Sequence, residues 1–226
     1  MFKLTLSFLT LVFSVSASAL GGDELGNGGD VLYCAQNGKY TFESFDLFEA
    51  GGSRGIFEVR DFPREKALVE TAFFAGLKAK DPGRACLYAK WNREFGRDSV
   101  MLDLPVYNVA DEGVVMIPKN CKLMQAAVQY KYSARQRPRY FIYSDVFFKL
   151  DEVNMLAIRI HEFIYREGVA MNLPRFKNSM GVRAFNAFLF SRRMLMAPQA
   201  DYDFLVSSVG LPLSEDYCNE NHPIHK

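Results

Sequence analysis

Histidine is scarce in this chain. Three occur in 226 residues, and two of them, His222 and His225, lie at the very C-terminus, so His161 is the single histidine of the body. A multi-histidine metal site would have to recruit that tail. The four cysteines form no C-x-x-C pair, which argues against a zinc ribbon or a thioredoxin-like redox motif. Neither sign of charge is in excess: 27 Lys and Arg face 26 Asp and Glu. No nucleic-acid partner is expected, because no basic field exists to attract one. Beyond the N-terminal segment, no apolar stretch is long enough to cross a bilayer. There is no internal repeat, low-complexity block or mid-chain Ser/Gly/Pro linker, so a single domain is the economical reading.

What is present begins with a leader. Lys3 is a short basic region, Leu4 to Val15 an apolar run, and Ala17-Ser18-Ala19 a small-residue cleavage site, so residues 1–19 read as a secretory signal peptide. Removing them takes away Lys3 and leaves the two signs of charge equal. The chain is therefore expected to be exported, periplasmic or extracellular, with no membrane span after cleavage. In that setting Cys34, Cys86, Cys121 and Cys218 predict two disulfides, with three pairings open. Cys34–Cys121 with Cys86–Cys218 is preferred, because it joins two predicted strands and staples the polar tail to a helix. Residues 20–30, rich in glycine, read as a flexible segment before a domain over 31–226. Alternatively, Asn27 and Asp30 with their glycines tuck back against the body, since glycine permits a close approach.

The pattern of the domain is α+β. Val31 to Phe45 reads as a hairpin about Asn37-Gly38, a strong two-residue turn signal. Short strands are predicted at 55–59, 99–104, 113–117, 122–130 and 139–143. Phe62 to Lys80 reads as a helix with Pro63 in its first turn and Leu68, Ala72, Ala75 and Leu77 on its apolar face. Asp81-Pro82 opens a second helix, to about Phe95, with Trp91 as a core-edge anchor. The loop holding Lys131, Arg135, Arg137 and Arg139, with Tyr130 and Tyr132 beside it, reads as a solvated hairpin tip or, alternatively, as a seat for a phosphate or glycan. Ser144-Asp145 caps a short turn, 180–196 forms one helix after Asn178-Ser179, and 201–209 a last one. The predicted fold is a single compact α+β domain, with antiparallel strands and hairpins packed on a buried C-terminal helix pair.

Asp151 to Gly168 is the stretch from which the rest hangs. Asp151 is a good N-cap and Gly168 a closing glycine. Val153, Leu156, Ala157, Ile160, Phe163 and Ile164 share one helical side. The other side mixes Ile158 and Met155 with His161, Glu162 and Tyr165, so it is expected to be covered too, with its polar groups satisfying one another. His161 with Tyr165, and Glu162 with Arg166, are one turn apart and can pair. Across from them, Ser179, Arg183 and Asn186 line up on the later helix, and Arg183 is placed to reach Glu162. Zinc-binding H-E-x-x-H needs a second histidine where this chain has Tyr165, so no metal and no cofactor are expected.

Four segments carry a resemblance: Gly26 to Cys34 (GNGGDVLYC), Asp46 to Gly51 (DLFEAG), Ile117 to Gln129 (IPKNCKLMQAAVQ), and the pair HEFIYREG and NSMGVRAFNAFLFS. Together they resemble a family of small exported proteins of predatory Gram-negative bacteria. The most specific match is His161, Glu162, Tyr165 and Arg166, followed by Asn178, Ser179, Val182, Arg183 and Asn186. The resemblance implies export and a shared fold, and no particular reaction.

Two functions fit these residues. In one, the cluster of His161, Glu162, Tyr165, Arg166, Arg183 and Asn186 is an internal scaffold of a structural or binding protein of the cell exterior. In the other, Glu162 is the general acid or base of a hydrolase acting on cell-wall glycan or peptide, with the other five supporting it. A glycosidase would also need a second carboxylate, for which Asp30, Asp46 and Glu49 are candidates. A cell-wall or envelope component is the partner either reading suggests.

Overall fold

The structure is a computed structural model that describes residues 24–25, 29–36, 38–53, 57–105, 116–130, 139–171, 179–213 and 215–225. The leader, Asn27, the basic loop over 131–138, residues 113–115 of the strand expected at 113–117 and Asn178 lie outside the described residues, and Met116 and Ile117 are not in a strand.

Two small sheets flank the central helix. In the first, β2 (Asp30–Gln36) pairs with β3 (Lys39–Ser44) across the expected tight turn, where Gly38 takes φ +74°, and β2 pairs on its other edge with β5 (Cys121–Gln125). In the second, the order is β1 (Glu24–Leu25), β6 (Ala127–Tyr130), β7 (Tyr140–Tyr143), β4 (Ser99–Leu102). The expected strand over 122–130 is therefore two strands broken at Ala126. There the chain passes from one sheet to the other: the Ala126 N–H donates to Gly29 O and its carbonyl accepts from Tyr143 N–H. One pairing departs from the antiparallel expectation, since β4 runs parallel to β7. Parallel neighbours need a long crossover, and more than thirty residues separate these two strands in the sequence.

The helices are α1 (Phe45–Phe48), α2 (Lys66–Lys80), α3 (Pro82–Asp98), α4 (Ser144–Phe147), α5 (Glu152–Ala170), α6 (Ser179–Leu189), α7 (Arg192–Met196) and α8 (Gln199–Val209). A wider π-turn over Glu49–Ser53 continues α1. Helix α2 starts after Pro63, and its buried face is Val69, Phe73, Gly76 and Leu77, while Leu68 is exposed. The alanine-weighted face misplaced it because Phe73, which packs on Phe190 at 4.6 Å, outweighs small residues in buried area. The single helix expected over 180–196 is α6 and α7. Between them Ser191 bridges to Val59 in strand fashion and caps α7, accepting from the Met194 N–H. The break turns Leu195 and Met196 out to solvent.

Helix α5 begins as expected, with the Asp151 carboxylate accepting from the Asn154 N–H at 2.8 Å. It runs past Gly168, which is buried within the helix, and ends at Ala170. It is wrapped by protein: α1, α2, α3, α6, β3 and β6 all contact it. Phe163 lies among Tyr88, Trp91, Phe95 and Tyr140, with ring centres about 6 Å away. Ile158, on the opposite side, is equally buried. Both expected disulfides are formed, Cys34–Cys121 across the β2–β5 ladder and Cys86–Cys218 between α3 and the C-terminal segment.

The glycine-rich approach is not a free linker throughout. Glu24–Leu25 pair with β6, Gly29 is buried, and Asp30 already belongs to β2, so the folded unit begins ahead of residue 31. A Cβ on Gly29 would lie 2.5 Å from Cγ2 of Ile158. Gly29→Ala is therefore expected to lower stability by roughly 1–3 kcal/mol through overpacking, read as a shift of the urea midpoint. A midpoint within error of the parent would contradict this close packing.

Candidate functional site

The site is assembled by three elements around the middle of α5. The β2–β3 hairpin delivers the first: Ser44, at the end of β3, gives its N–H to Asn154 Oδ1 at 2.8 Å, which docks α1 against α5. Asp46 of α1 is thereby buried beside His161, with Oδ2 2.7 Å from the imidazole Nδ1. An ionised carboxylate only accepts, so Nδ1 carries the proton. Helix α6 supplies the second element. Asn186 Nδ2 donates to the same Asp46 oxygen at 2.7 Å and to Ala157 O at 2.9 Å. Arg183 Nε donates to Glu49 Oε2 at 2.9 Å, and its Nη1 to Ser179 Oγ at 3.4 Å. The third element is the strand entry, where the Gly29 N–H donates to Glu162 Oε1 at 2.9 Å.

Burial and charge then set the protonation states. Burial alone would push the His161 imidazole down, but the Asp46 carboxylate reverses this and raises it to about 9. Burial raises the Glu162 carboxyl to about 7, against the opposing pull of His161 and the Gly29 N–H. Burial also works against ionising Asp46, yet His161, Asn186 and Arg183 together hold it below its ordinary value. The pair is thus an imidazolium on a carboxylate, next to a glutamate near half-ionisation at neutral pH.

The six expected residues do not all meet. His161, Asn186 and Arg183 converge through Asp46 and Glu49, two carboxylates the sequence offered only as partners for a glycosidase. Tyr165 packs its ring 5.2 Å from His161. Arg183 hydrogen-bonds Glu49 and not Glu162, because the turn after α1 reaches it first. Arg166 also leaves the cluster. Its guanidinium lies 4.2 Å over the Trp91 ring and 3.4 Å from both Asp98 and the Tyr140 hydroxyl, so the one-turn pair with Glu162 is not made. Mutual satisfaction is incomplete as well: His161 Nε2, Glu162 Oε2 and Asn186 Oδ1 are buried without a hydrogen-bond partner among the described residues.

A second buried network went unforeseen. Glu167, one turn beyond Phe163 on α5, accepts from Arg84 Nε at 3.0 Å and Nη2 at 2.8 Å, from Tyr88 OH at 2.6 Å and from Tyr217 OH at 2.8 Å. Arg84 continues to Asp81, which also caps α3, and to Tyr202 OH and Pro212 O. The signal was present in the spacing of Asp81, Arg84 and Tyr88, three polar groups on the α3 face that also carries Leu87 and Trp91.

No family model, curated protein or solved structure matches this chain. Chemistry must therefore be judged from access. Glu162 is 0% exposed and His161 2%. Three surface cavities, of about 330, 360 and 320 Å³, are lined by neither. Among the described residues no group of three or more His, Cys, Asp or Glu side chains is placed to hold a metal ion. His161 is committed to Asp46, and His222 lies 3.3 Å from Glu215 and packs edge-on against Tyr217.

Proposed function

We propose that this is an exported protein whose His-Glu-x-x-Tyr-Arg helix is an internal scaffold, and that contact with cell-wall or envelope material is made by its surface. The observation that carries the proposal is the complete burial of Glu162 beneath the Gly29 backbone. A general acid or base must come within hydrogen-bond reach of substrate, and a sealed carboxyl cannot. Export is supported by the leader-like N-terminus and by two disulfides, which persist in oxidising compartments. No helix among the described residues is long and apolar enough to cross a membrane. The likeness of the His161 and Arg183 segments to exported proteins of predatory Gram-negative bacteria belongs to the same proposal.

The hydrolase reading has one observation in its favour. Glu162 combines a carboxyl raised to about 7 with an oxygen that has no hydrogen-bond partner among the described residues, as an acid–base catalyst would. Carboxyl footprinting separates the two. With a water-soluble carbodiimide and an amine, Glu58 and Asp61, whose side chains are 73% and 94% exposed, are expected to label in the native protein. Glu162 is expected to label only in denaturant. Native labelling of Glu162 at the rate of Glu58 would favour an open catalytic cleft and sink the scaffold.

A further inference from the structure

We infer that the Cys86–Cys218 disulfide is a thiol-exchange site, attacked at Cys218 by a small thiol, and that its reduction releases segment 215–225 from the body. The two sulfurs are unequally placed: Cys218 is exposed and Cys86 half-buried on α3. Cavities of about 330 and 320 Å³ both reach Cys218, and the second also reaches Cys86. A small thiol therefore has space beside Cys218. The second cavity is lined by Lys90 and Arg93, one and two turns beyond Cys86 on its helix. Positive charge there favours the thiolate that leaves. Glu94 and Glu220 share the cavity, and Glu94 is held by Arg97 at 3.0 Å.

The chemistry balances with two equivalents of thiol. A thiolate attacks Cys218 Sγ, forming a mixed disulfide and expelling Cys86 as thiolate, which takes a proton from water. A second thiolate attacks the external sulfur of the mixed disulfide and frees Cys218. Two thiols are oxidised to one disulfide, and the protein disulfide is reduced to two thiols.

What the bond holds makes this exchange consequential. Tyr217, adjacent to Cys218, is 1% exposed and donates to the buried Glu167. The neighbouring Glu215 carbonyl lies against the first turn of α3, 2.0 Å from where a Cβ on Gly83 would stand. Segment 215–225 thus covers one end of the Arg84–Glu167 network, seated by the buried Tyr217 and Ile224 and joined to α3 by this disulfide. The other disulfide differs. Cys34 and Cys121 face each other within a ladder whose backbone hydrogen bonds hold the strands regardless.

The test is native reduction of the full chain with increasing glutathione, followed by alkylation and peptide mapping. Expected are a glutathione adduct on Cys218, alkylation of Cys86 and Cys218 before Cys34 and Cys121, and faster hydrogen exchange confined to 215–225. The variant Cys218→Ser, which keeps the other disulfide, is expected to show the same local exchange without added thiol. Removing the two cations as Lys90→Ala with Arg93→Ala should slow reduction about threefold, as a thiol pKa raised by about one unit would. The inference is overturned if Cys34 and Cys121 react first or together with the other pair, or if the adduct sits on Cys86. It is equally overturned if 215–225 stays protected after reduction, or if the cation variant reduces at the parent rate.

Discussion

Replacing Arg84 with methionine is expected to cost about 3–5 kcal/mol, a large part of the total stability of an ordinary domain. Among the described residues Arg84 is the only cation in its network, facing the carboxylates of Asp81 and Glu167. Methionine fills much of the same volume but leaves two carboxylates buried, with Tyr88, Tyr202, Tyr217 and the α3 cap as their remaining donors among the described residues. The cost comes from that uncompensated charge, more than from the worth of the pair itself. The triple replacement Arg84→Met, Asp81→Asn, Glu167→Gln should therefore recover a good part of the loss. Urea unfolding of the two variants beside the parent measures both numbers. A single Arg84→Met variant within about 1 kcal/mol of the parent would mean that water reaches these carboxylates.

The second large effect is a loss of stability as pH rises from acid to alkaline. For Glu162 the folded carboxyl is raised from 4.5 to about 7. Below 4.5 it is neutral whether folded or unfolded. Above that the unfolded chain ionises first, so stability declines and the penalty is complete above 7. His161 is raised from 6.5 to about 9. Its charged contact with Asp46 contributes fully below 6.5 and is lost as pH climbs through 9. The two windows abut, and each shift is worth on the order of 3 kcal/mol at about 1.4 kcal/mol per unit. Asp46, held low, acts in the opposite direction and withdraws its contribution below its ordinary value of 3.8. Melting temperature should therefore be highest near pH 4, between the ordinary values of Asp46 and Glu162, and fall steadily to pH 9. Glu162→Gln should flatten the portion between pH 5 and 7 and leave the upper portion. A profile level or rising from pH 5 to 8 would show that neither group is shifted as its burial requires.

The legible parts of this protein were those governed by local rules. The hairpin at Gly38, the Asp151 cap, the all-round burial of α5 and both disulfides follow from turn chemistry, periodicity and an even cysteine count. In the site, His161 and Asn186 share Asp46 and Arg183 holds Glu49, partners that local spacing did not reveal. Asp46 lies on a short helix and Glu49 on the π-turn that continues it, both more than a hundred positions earlier, and nothing in local spacing links them to α6. Arg166 shows the same limit. A one-turn carboxylate was available, yet the indole of Trp91 and the carboxylate of Asp98 offered a buried seat on both sides of the guanidinium. The division of α6 from α7 was hidden because Ser191 is acceptable inside a helix and becomes a cap only when Val59 lies alongside.

The hairpin that opens the fold has a bearing on when the chain can fold at all. Asp46 finds His161 and Asn186 at 115 and 140 positions further on, and Gly29 finds Glu162 at 133. A nascent chain stopped ahead of α5 would hold its first strands and a lone aspartate with nothing to neutralise it. Contacts closed over such distances cost loop entropy before they are made, so folding is expected to be slow and to wait on the last third of the chain.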